Sequence, residues 1–295
     1  MSAICFGEIL WDFLPDGLFP GGAPFNVGYH LHRHGVGTEI VSAVGRDVLG
    51  DELRRRVAGW GMSTAGIARH DRLPTGFVRA TLGAGGDARY EITTEVAWDE
   101  VPVTSEVLAA AGKTDAFIYG SLAQRSSVTR SSLLRLLGAL PSHAWRVFDV
   151  NLRPPHDDLG LGRELAREAT LLKLNHEEAA RLVGQPVAGG GEETHARALA
   201  AETGCGLVVV TAGEHGAGLL RRGRWHWEPG RPVEVVDTVG AGDAFLASLV
   251  THLMGGVLSD AECLARACRL GEWVASQRGA TPNYAAASAR YTSGS

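Results

Sequence analysis

Cysteine is scarce in this chain. Its 295 residues hold four, Cys5, Cys205, Cys263 and Cys268, with no CxxC pair and no histidine at metal-ligand spacing, so a reduced chain without structural zinc is expected. Long apolar runs are missing too: no stretch of 18 occurs, and no basic segment followed by an apolar one opens the sequence. No membrane partner is therefore expected, and the cytoplasm is the expected location. Positive charge is not in excess. The formal net charge is −5, which removes the electrostatic motive for binding nucleic acid. The arginine clusters, Arg54 to Arg56 and Arg221 to Arg224, are short enough to be solvated faces. Two nucleotide signatures are also absent. Without GxxxxGK[ST] a P-loop enzyme is excluded by that route, and without GxGxxG after the first strand a dinucleotide dehydrogenase loses its main support.

What is present describes an ordinary globular chain, 45% hydrophobic and 21% charged. At this length folding buries roughly three quarters of the unfolded surface, enough for one large core with a small appendage. Among eleven histidines, His30, His32 and His34 look like a metal tract, but on a helix only His30 and His34 share a face, and no carboxylate stands at matching spacing.

Short β-rich runs alternate with helical patterns, which predicts a parallel sheet covered by helices. Residues 3–10 read as the first strand, 38–45 as the next, and 115–120, 145–150, 171–175 and 206–213 as apolar strands buried on both faces. Helices are expected at 26–35, 51–61 (with Leu53, Val57 and Trp60 on one face), 126–138, 161–169, 176–183, 194–203, 241–254 and 260–276. Residues 216–228 read as a hairpin turning near Arg222 and Gly223. One stretch breaks the rhythm: 73–98 holds two β-type runs around a glycine-rich turn with no helix between, and with 11–19 it predicts a small antiparallel sheet. The segment 187–193 and the tail after Pro282 look loose. The expectation is one α/β domain over 1–295, with a β lid formed by about 11–19 and 73–98.

In open α/β sheets ligands collect at the carboxyl ends of the strands. Gly7 to Asp12, Asn151 to Arg153, Asn175 to Glu178, Ala212 to Glu214 and Val239 to Asp243 all fall at such ends. The stretch VVDTVGAGDAFLASLV, 235–250, carries the sharpest chemistry. Glycine allows close backbone approach and a helix start presents free amides with partial positive charge, so residues 240–243 can hold a phosphate. Asp243 beside that anion hole makes sense as a base taking a proton from an attacking hydroxyl. It would equally serve as a helix cap, and the motif alone leaves both readings open.

DTVGAGDAF strongly resembles the second signature of the ribokinase-like (PfkB) family of carbohydrate kinases, and GGAPFNVGYHLHRHG resembles that family's N-terminal glycine-rich region. GEILWDF, VAWDEVP and GSLAQRS look like fructokinase segments, and DVNLRPP, KLNHEEA, TAGEHGA and RGATP extend the likeness through most of the chain. The resemblance implies a three-layer α/β/α sandwich with a mostly parallel sheet and a β lid. It implies transfer of the γ-phosphoryl of ATP to a primary hydroxyl of a small sugar, with fructose first, 2-keto-3-deoxygluconate next, then ribose or a nucleoside. Asp243 would be the base, with Gly240, Ala241 and Gly242 forming the anion hole. Asp12, Gly22, Asn26, Asn151 and Arg153 would hold the sugar. Asn175, Thr211, Gly213, Glu214, Gly216, Gly279 and Ala280 would line the nucleotide. Glu178 would organise Mg²⁺ through water, Glu177 would face solvent, and Asp237 and Thr238 would contribute to a K⁺ site. In that family such lids also mediate homodimers, for which Phe13, Phe77 and Tyr90 are the candidate contacts. Arg79, Arg89 and Arg153 are the basic residues able to favour an acidic sugar. A binding protein that lost turnover and a nicotinamide-dependent oxidoreductase are the rivals from other classes.

Overall fold

The computed structural model describes residues 1–14, 17–82, 88–187 and 189–284, with backbone alone for 80–82 and 88–90. In chain order the elements begin with β1 (Ser2–Phe6), β2 (Leu10–Leu14), β3 (Gly17–Gly21), α1 (Ala23–Arg33), β4 (Gly37–Gly45), α2 (Val48–Gly59), β5 (Ile67–His70), β6 (Phe77–Leu82) and β7 (Ala88–Ile92). They continue with α3 (Ser105–Ala111), β8 (Ala116–Gly120), α4 (Ser127–Ala139), β9 (Trp145–Asp149), α5 (Leu159–Arg167), β10 (Leu171–Asn175), α6 (His176–Val183), α7 (Glu192–Thr203), β11 (Leu207–Thr211), β12 (Gly216–Arg221), β13 (Arg224–Pro229), α8 (Ala241–Gly255) and α9 (Asp260–Ala275).

Nine strands form the main sheet in the order β13-β12-β11-β10-β9-β8-β1-β4-β5. From β11 to β5 every pairing is parallel, and the β12–β13 hairpin adds the antiparallel edge. The alternation of side chains makes both faces apolar. Along β1, Ala3 and Cys5 enter one core cluster while Ile4 and Phe6 enter the other, and in β11 Val209 opposes Val208 and Val210 in the same way. Helices cover both faces as a result, and the ribokinase-like three-layer α/β/α arrangement follows. The chain runs from β1 to β4 on one side and returns to β8 on the other, so a crevice is expected at the carboxyl ends beside β1, the topological switch point.

Most of the expected elements are present, and the departures have physical reasons. The first strand ends at Phe6, and Leu10 already belongs to β2 in a second sheet. α1 begins at Ala23, with Pro24 in its first turn, so Asn26 is helical and does not cap. β5 and α3 were not expected from the pattern; β5 has four residues and α3 seven, too short for a clear period. The small sheet has the order β3-β2-β6-β7. It is not wholly antiparallel as expected, because β2 and β6 pair parallel through Trp11↔Phe77, Asp12↔Val78 and Phe13↔Arg79. Residues 97 and 98, placed in the lid by sequence, belong to a short 3-10 turn, Ala97–Glu100, against the main sheet. Phe13 and Phe77 pack edge to face at 5.1 Å inside the small sheet, and Arg79 is exposed over the Phe77 ring. The side chains of Arg89 and Tyr90, residue 188 and the tail beyond 284 lie outside the described residues.

All four cysteines are buried and free. His30 is buried on α1 with its ring between the Tyr284 hydroxyl and the Ala280 carbonyl, at 2.7 and 2.9 Å. Burial drives its pKa down to about 3, so the imidazole is neutral.

Candidate active site

α8 starts from a turn that only glycine fits easily. Gly240 caps the helix at φ 79, and a Cβ there would stand 2.4 Å from the Cβ of Ala280. The Ala241 amide is engaged by the Thr238 carbonyl at 3.3 Å. The amides of Gly242 and Asp243 have no acceptor among the described residues, which leaves them as the donors of the anion hole. Ala241, expected to share in that role, does so only through the wall of the cavity.

Asp243 is not the cap. It stands in the first turn of α8 with 8% of its surface exposed, and its Oδ2 accepts from the Asn26 amide nitrogen at 2.8 Å. Burial and then the nearby Asp149 carboxylate raise its pKa to about 6, against the pull of Lys173, Asn26 and Arg153. This bond joins the first turn of α8 to the first turn of α1, and so joins the candidate phosphate side of the site to the candidate sugar side.

On the sugar side, Gly22 brings the start of α1 close to the loop between β1 and β2: a Cβ there would lie 2.4 Å from the Glu8 carbonyl oxygen. Glu8 itself is buried, and its Oε1 accepts from the Ala23 amide at 3.1 Å, supplying from another element the cap that Gly22 lacks. Burial raises the pKa of Glu8 to about 7. Asp12, on β2, is raised to about 7 by burial and by Asp243. Arg153 is exposed, donates to the Leu152 carbonyl at 3.1 Å, and is the cation felt by Glu8, Asp12 and Asp243. No ion pair fixes it among the described residues, so its guanidinium is available to a ligand. Asn151, half-buried, holds a positive φ of 41° at the turn out of β9. Asn26 bonds Asp243 directly, and Asp12 and Arg153 lie close enough to interact with it electrostatically, while Gly22 packs against Glu8 and Ile9.

The nucleotide side is a cavity of about 920 Å³ walled by Asn175, Thr211, Gly213, Glu214, Gly216, Thr238, Ala241 and Gly242. Glu177, also on that wall, is exposed. Gly279 and Ala280 are not on the wall. Ala280 packs behind the Gly240 turn, and the Gly279 amide donates to Asp237 Oδ2 at 3.1 Å. Asp237 Oδ1 accepts from Val239 at 3.0 Å, so this carboxylate staples the loop ahead of α8 to residue 279.

Asn175 caps α6 while Glu178 reaches back to the Asn175 amide, a reciprocal capping box. The other Glu178 oxygen accepts from the Leu152 amide at 2.8 Å. Each oxygen keeps a second lone pair. One buried carboxylate with a lone pair free on each oxygen fits an ion such as Mg²⁺ that keeps most of its waters and takes phosphate oxygens.

Two buried residues beside this site escaped the sequence reading, Asp149 and Lys173, and Glu8 was taken in only as part of the strand end from Gly7 to Asp12. Lys173 is buried with its Nζ 3.0 and 3.1 Å from the Asp149 carboxylate oxygens, and 3.1 Å from where a Cβ on Gly242 would be. Burial works against its charge, yet Asp149, Glu178 and Asp243 hold its pKa above the usual lysine value. The signal was available, since a lysine in the middle of an otherwise apolar buried strand needs a partner.

A buried carboxylate at a helix start, free amides beside it, a nucleotide-sized cavity on one side and the polar side chains of Asn26, Asp12 and Arg153 on the other fit a phosphotransferase that acts on an alcohol. Residues 17–286 match the family described as pfkB family carbohydrate kinase, and the chain belongs to that family. Similar proteins include a fructokinase of Klebsiella pneumoniae, 30% identical over 267 residues, covering 86% of this chain and 85% of the relative. Fructokinase-1 of Oryza sativa subsp. japonica is 29% identical over 310 residues, covering 95% and 93%. Among solved structures, the fructokinase of Vibrio cholerae O395 in its fructose-, ADP- and calcium-bound form shares the fold with a TM-score of 0.82 at 23% identity, covering 98% of each chain. A sugar kinase of Pyrococcus horikoshii in complex with ATP matches with a TM-score of 0.77 at 25% identity, covering 95% of this chain and 94% of that one. Among the described residues no helix is long and apolar enough to cross a membrane.

Proposed function

We propose that this chain transfers the γ-phosphoryl of ATP to the primary hydroxyl of a small neutral sugar, converting D-fructose to fructose 6-phosphate. The observation that carries the reading is Asp243: its carboxyl is buried, bonded to Asn26 on the sugar side, and one residue from a free amide on the phosphate side. Asp12 and Asn26 accept from and donate to the sugar hydroxyls, and Arg153 and Asn151 close the other side of the ring. The acceptor hydroxyl gives its proton to Asp243 late, as it becomes acidic in a loose transition state. The Gly242 and Asp243 amides receive the charge on the transferring group. Mg²⁺, when bound near Glu178, neutralises phosphate charge, and Asp237 with Thr238 is the place for K⁺. Neutral fructose is favoured because Glu8, Asp12 and Asp243 crowd the sugar side, where Arg153 is the cation that acts on all three while Lys173 is already paired with Asp149. Arg153 is also the observation that favours the second reading, 2-keto-3-deoxygluconate, whose carboxylate it could clamp. The fructokinases of Klebsiella pneumoniae and Vibrio cholerae are similar to this chain, which supports fructose first.

The test is ADP formation with fructose, 2-keto-3-deoxygluconate, ribose and adenosine at equal concentration. Fructose is expected to give the highest kcat/KM. A preference of ten-fold or more for the acid would move the assignment to the second reading, and no turnover with any sugar would end both.

A further inference from the structure

Two sequence segments that resemble fructokinases, VAWDEVP and GSLAQRS, contribute nothing to the site described above, yet they meet at one side chain. Arg125, from the turn after β8, is nearly buried and forks onto Asp99, with Nε to Oδ1 at 2.8 Å and Nη2 to Oδ2 at 3.0 Å. Its guanidinium lies 4.0 Å over the Trp98 ring. Its two remaining contacts reach two other segments of the chain. Nη2 also donates to the Thr93 carbonyl at 2.6 Å, and Nη1 donates to His156 Nε2 at 3.2 Å.

Thr93 is the root of the lid. Its hydroxyl donates to the Phe77 carbonyl at 2.8 Å and accepts from the Phe77 amide at 2.9 Å, closing the base of the β6–β7 hairpin. Phe77 and Val78 are in register with Trp11 and Asp12 on β2, so Thr93 fixes the strand that carries Asp12. His156 belongs to the loop that carries Asn151 and Arg153, and its amide bonds the Arg153 carbonyl at 2.7 Å. One guanidinium therefore ties the two halves of the sugar recess, the lid with Asp12 and the loop with Arg153, to a single rigid point.

We propose that Arg125 is a positioning residue for the acceptor: it sets the spacing between the Asp12-bearing lid and the Arg153-bearing loop without touching the sugar. Asp99 and the Trp98 face hold the guanidinium plane, and a lysine, lacking the planar fork, cannot reach Asp99, Thr93 and His156 together. Misplacement of about 1 Å at a reacting centre costs on the order of 10²-fold, so loosening this point acts on the sugar and spares the nucleotide.

The inference rests on the sugar-kinase reading for the existence of an acceptor, though not on its being fructose. Kinetics are measured with whichever sugar the wild-type chain phosphorylates best, for Arg125→Gln, Arg125→Lys and the charge-neutral double variant Arg125→Gln/Asp99→Asn. Arg125→Gln is expected to raise KM for the sugar about ten-fold or more and leave KM for ATP within about two-fold, with Arg125→Lys in between. ATP hydrolysis without sugar, relative to sugar phosphorylation, should rise in the same order as the lid loses its fit. Should Arg125→Gln fail to fold, the lysine and double variants carry the test. A fall in melting temperature with both KM values and the hydrolysis ratio unchanged, or an equal rise in both KM values, overturns the proposal. A second readout needs no sugar: amide exchange at Phe77 and Thr93 in the unliganded protein is expected to quicken about ten-fold in the variant while Val208 to Val210 keep the wild-type rate. Unchanged exchange at Phe77 and Thr93 overturns it as well, and a wild-type chain with no sugar turnover would sink the kinase reading while leaving this measurement standing.

Discussion

At the scale of single residues the proposed reaction rests on the ionisation of Asp243. A base must be deprotonated to act, and a pKa raised to about 6 by burial and by Asp149 puts that requirement just below neutrality. The kcat/KM for sugar is therefore expected to climb with pH through about 6 and to level off above it, since kcat/KM reports the free enzyme. Asn26 donates to the same carboxyl and favours its charged form. Asn26→Ala should move the acid limb to higher pH as well as weaken sugar binding, which a pH-rate series on both proteins will show. Asp243→Asn keeps the shape and loses the base. Its expected kcat is at least about 10²-fold lower, with ATP affinity by titration calorimetry near the wild-type value. Near-normal turnover in that variant would remove Asp243 from the mechanism.

At the scale of elements the phosphate site is a helix start held in place from behind. Gly240 takes a left-handed φ of 79°, and Ala280 packs where its Cβ would be. Gly240→Ala adds backbone strain of roughly 1–2 kcal/mol and must also push the turn away from Ala280. The expected outcome is a folded protein, with a melting temperature lower by a few degrees and kcat lower by about 10²-fold, because the Gly242 and Asp243 amides no longer aim at the phosphoryl group. Circular dichroism melts with steady-state kinetics check both parts. This element was legible in the sequence because glycine and aspartate at fixed offsets before an apolar helix state their own geometry. The parallel strands were legible as well, since burial on both faces leaves continuous apolar runs. The small sheet was located but its pairing was not: nothing in residues 10–14 or 77–82 says that β2 and β6 run parallel, because register is settled by contacts 60 or more residues apart. The contacts of Glu8, Asp149 and Arg125 were hidden for a related reason. Each matters through a partner distant in sequence, and the motifs reveal only what is adjacent. Gly279 and Ala280 show the converse, a motif match whose residues support the turn without lining the cavity.

At the scale of the whole molecule, the site is a cost to stability. Glu8, Asp12 and Asp243 have folded pKa values of about 7, about 7 and about 6, against ordinary values of 4.5, 3.8 and 3.8. The folded chain thus binds these protons more tightly than the unfolded one. The stability each group contributes is whole below about pH 4 and is lost as pH rises through its folded pKa. For Asp243, displacement from 3.8 to about 6 corresponds to about 3 kcal/mol lost by neutral pH, an upper figure because the three carboxylates share one field. Asp243→Asn should therefore melt several degrees higher than the wild type at pH 8, with the difference vanishing near pH 4 where both side chains are neutral. Sugar, by bringing hydroxyl donors to Asp12 and Asp243, should recover part of that loss in the wild type and less of it in the variant. Melting curves of the two proteins at pH 4, 6 and 8, with and without sugar, test this; equal melting temperatures at pH 8 would mean that Asp243 sits in water and that its raised pKa has no structural basis.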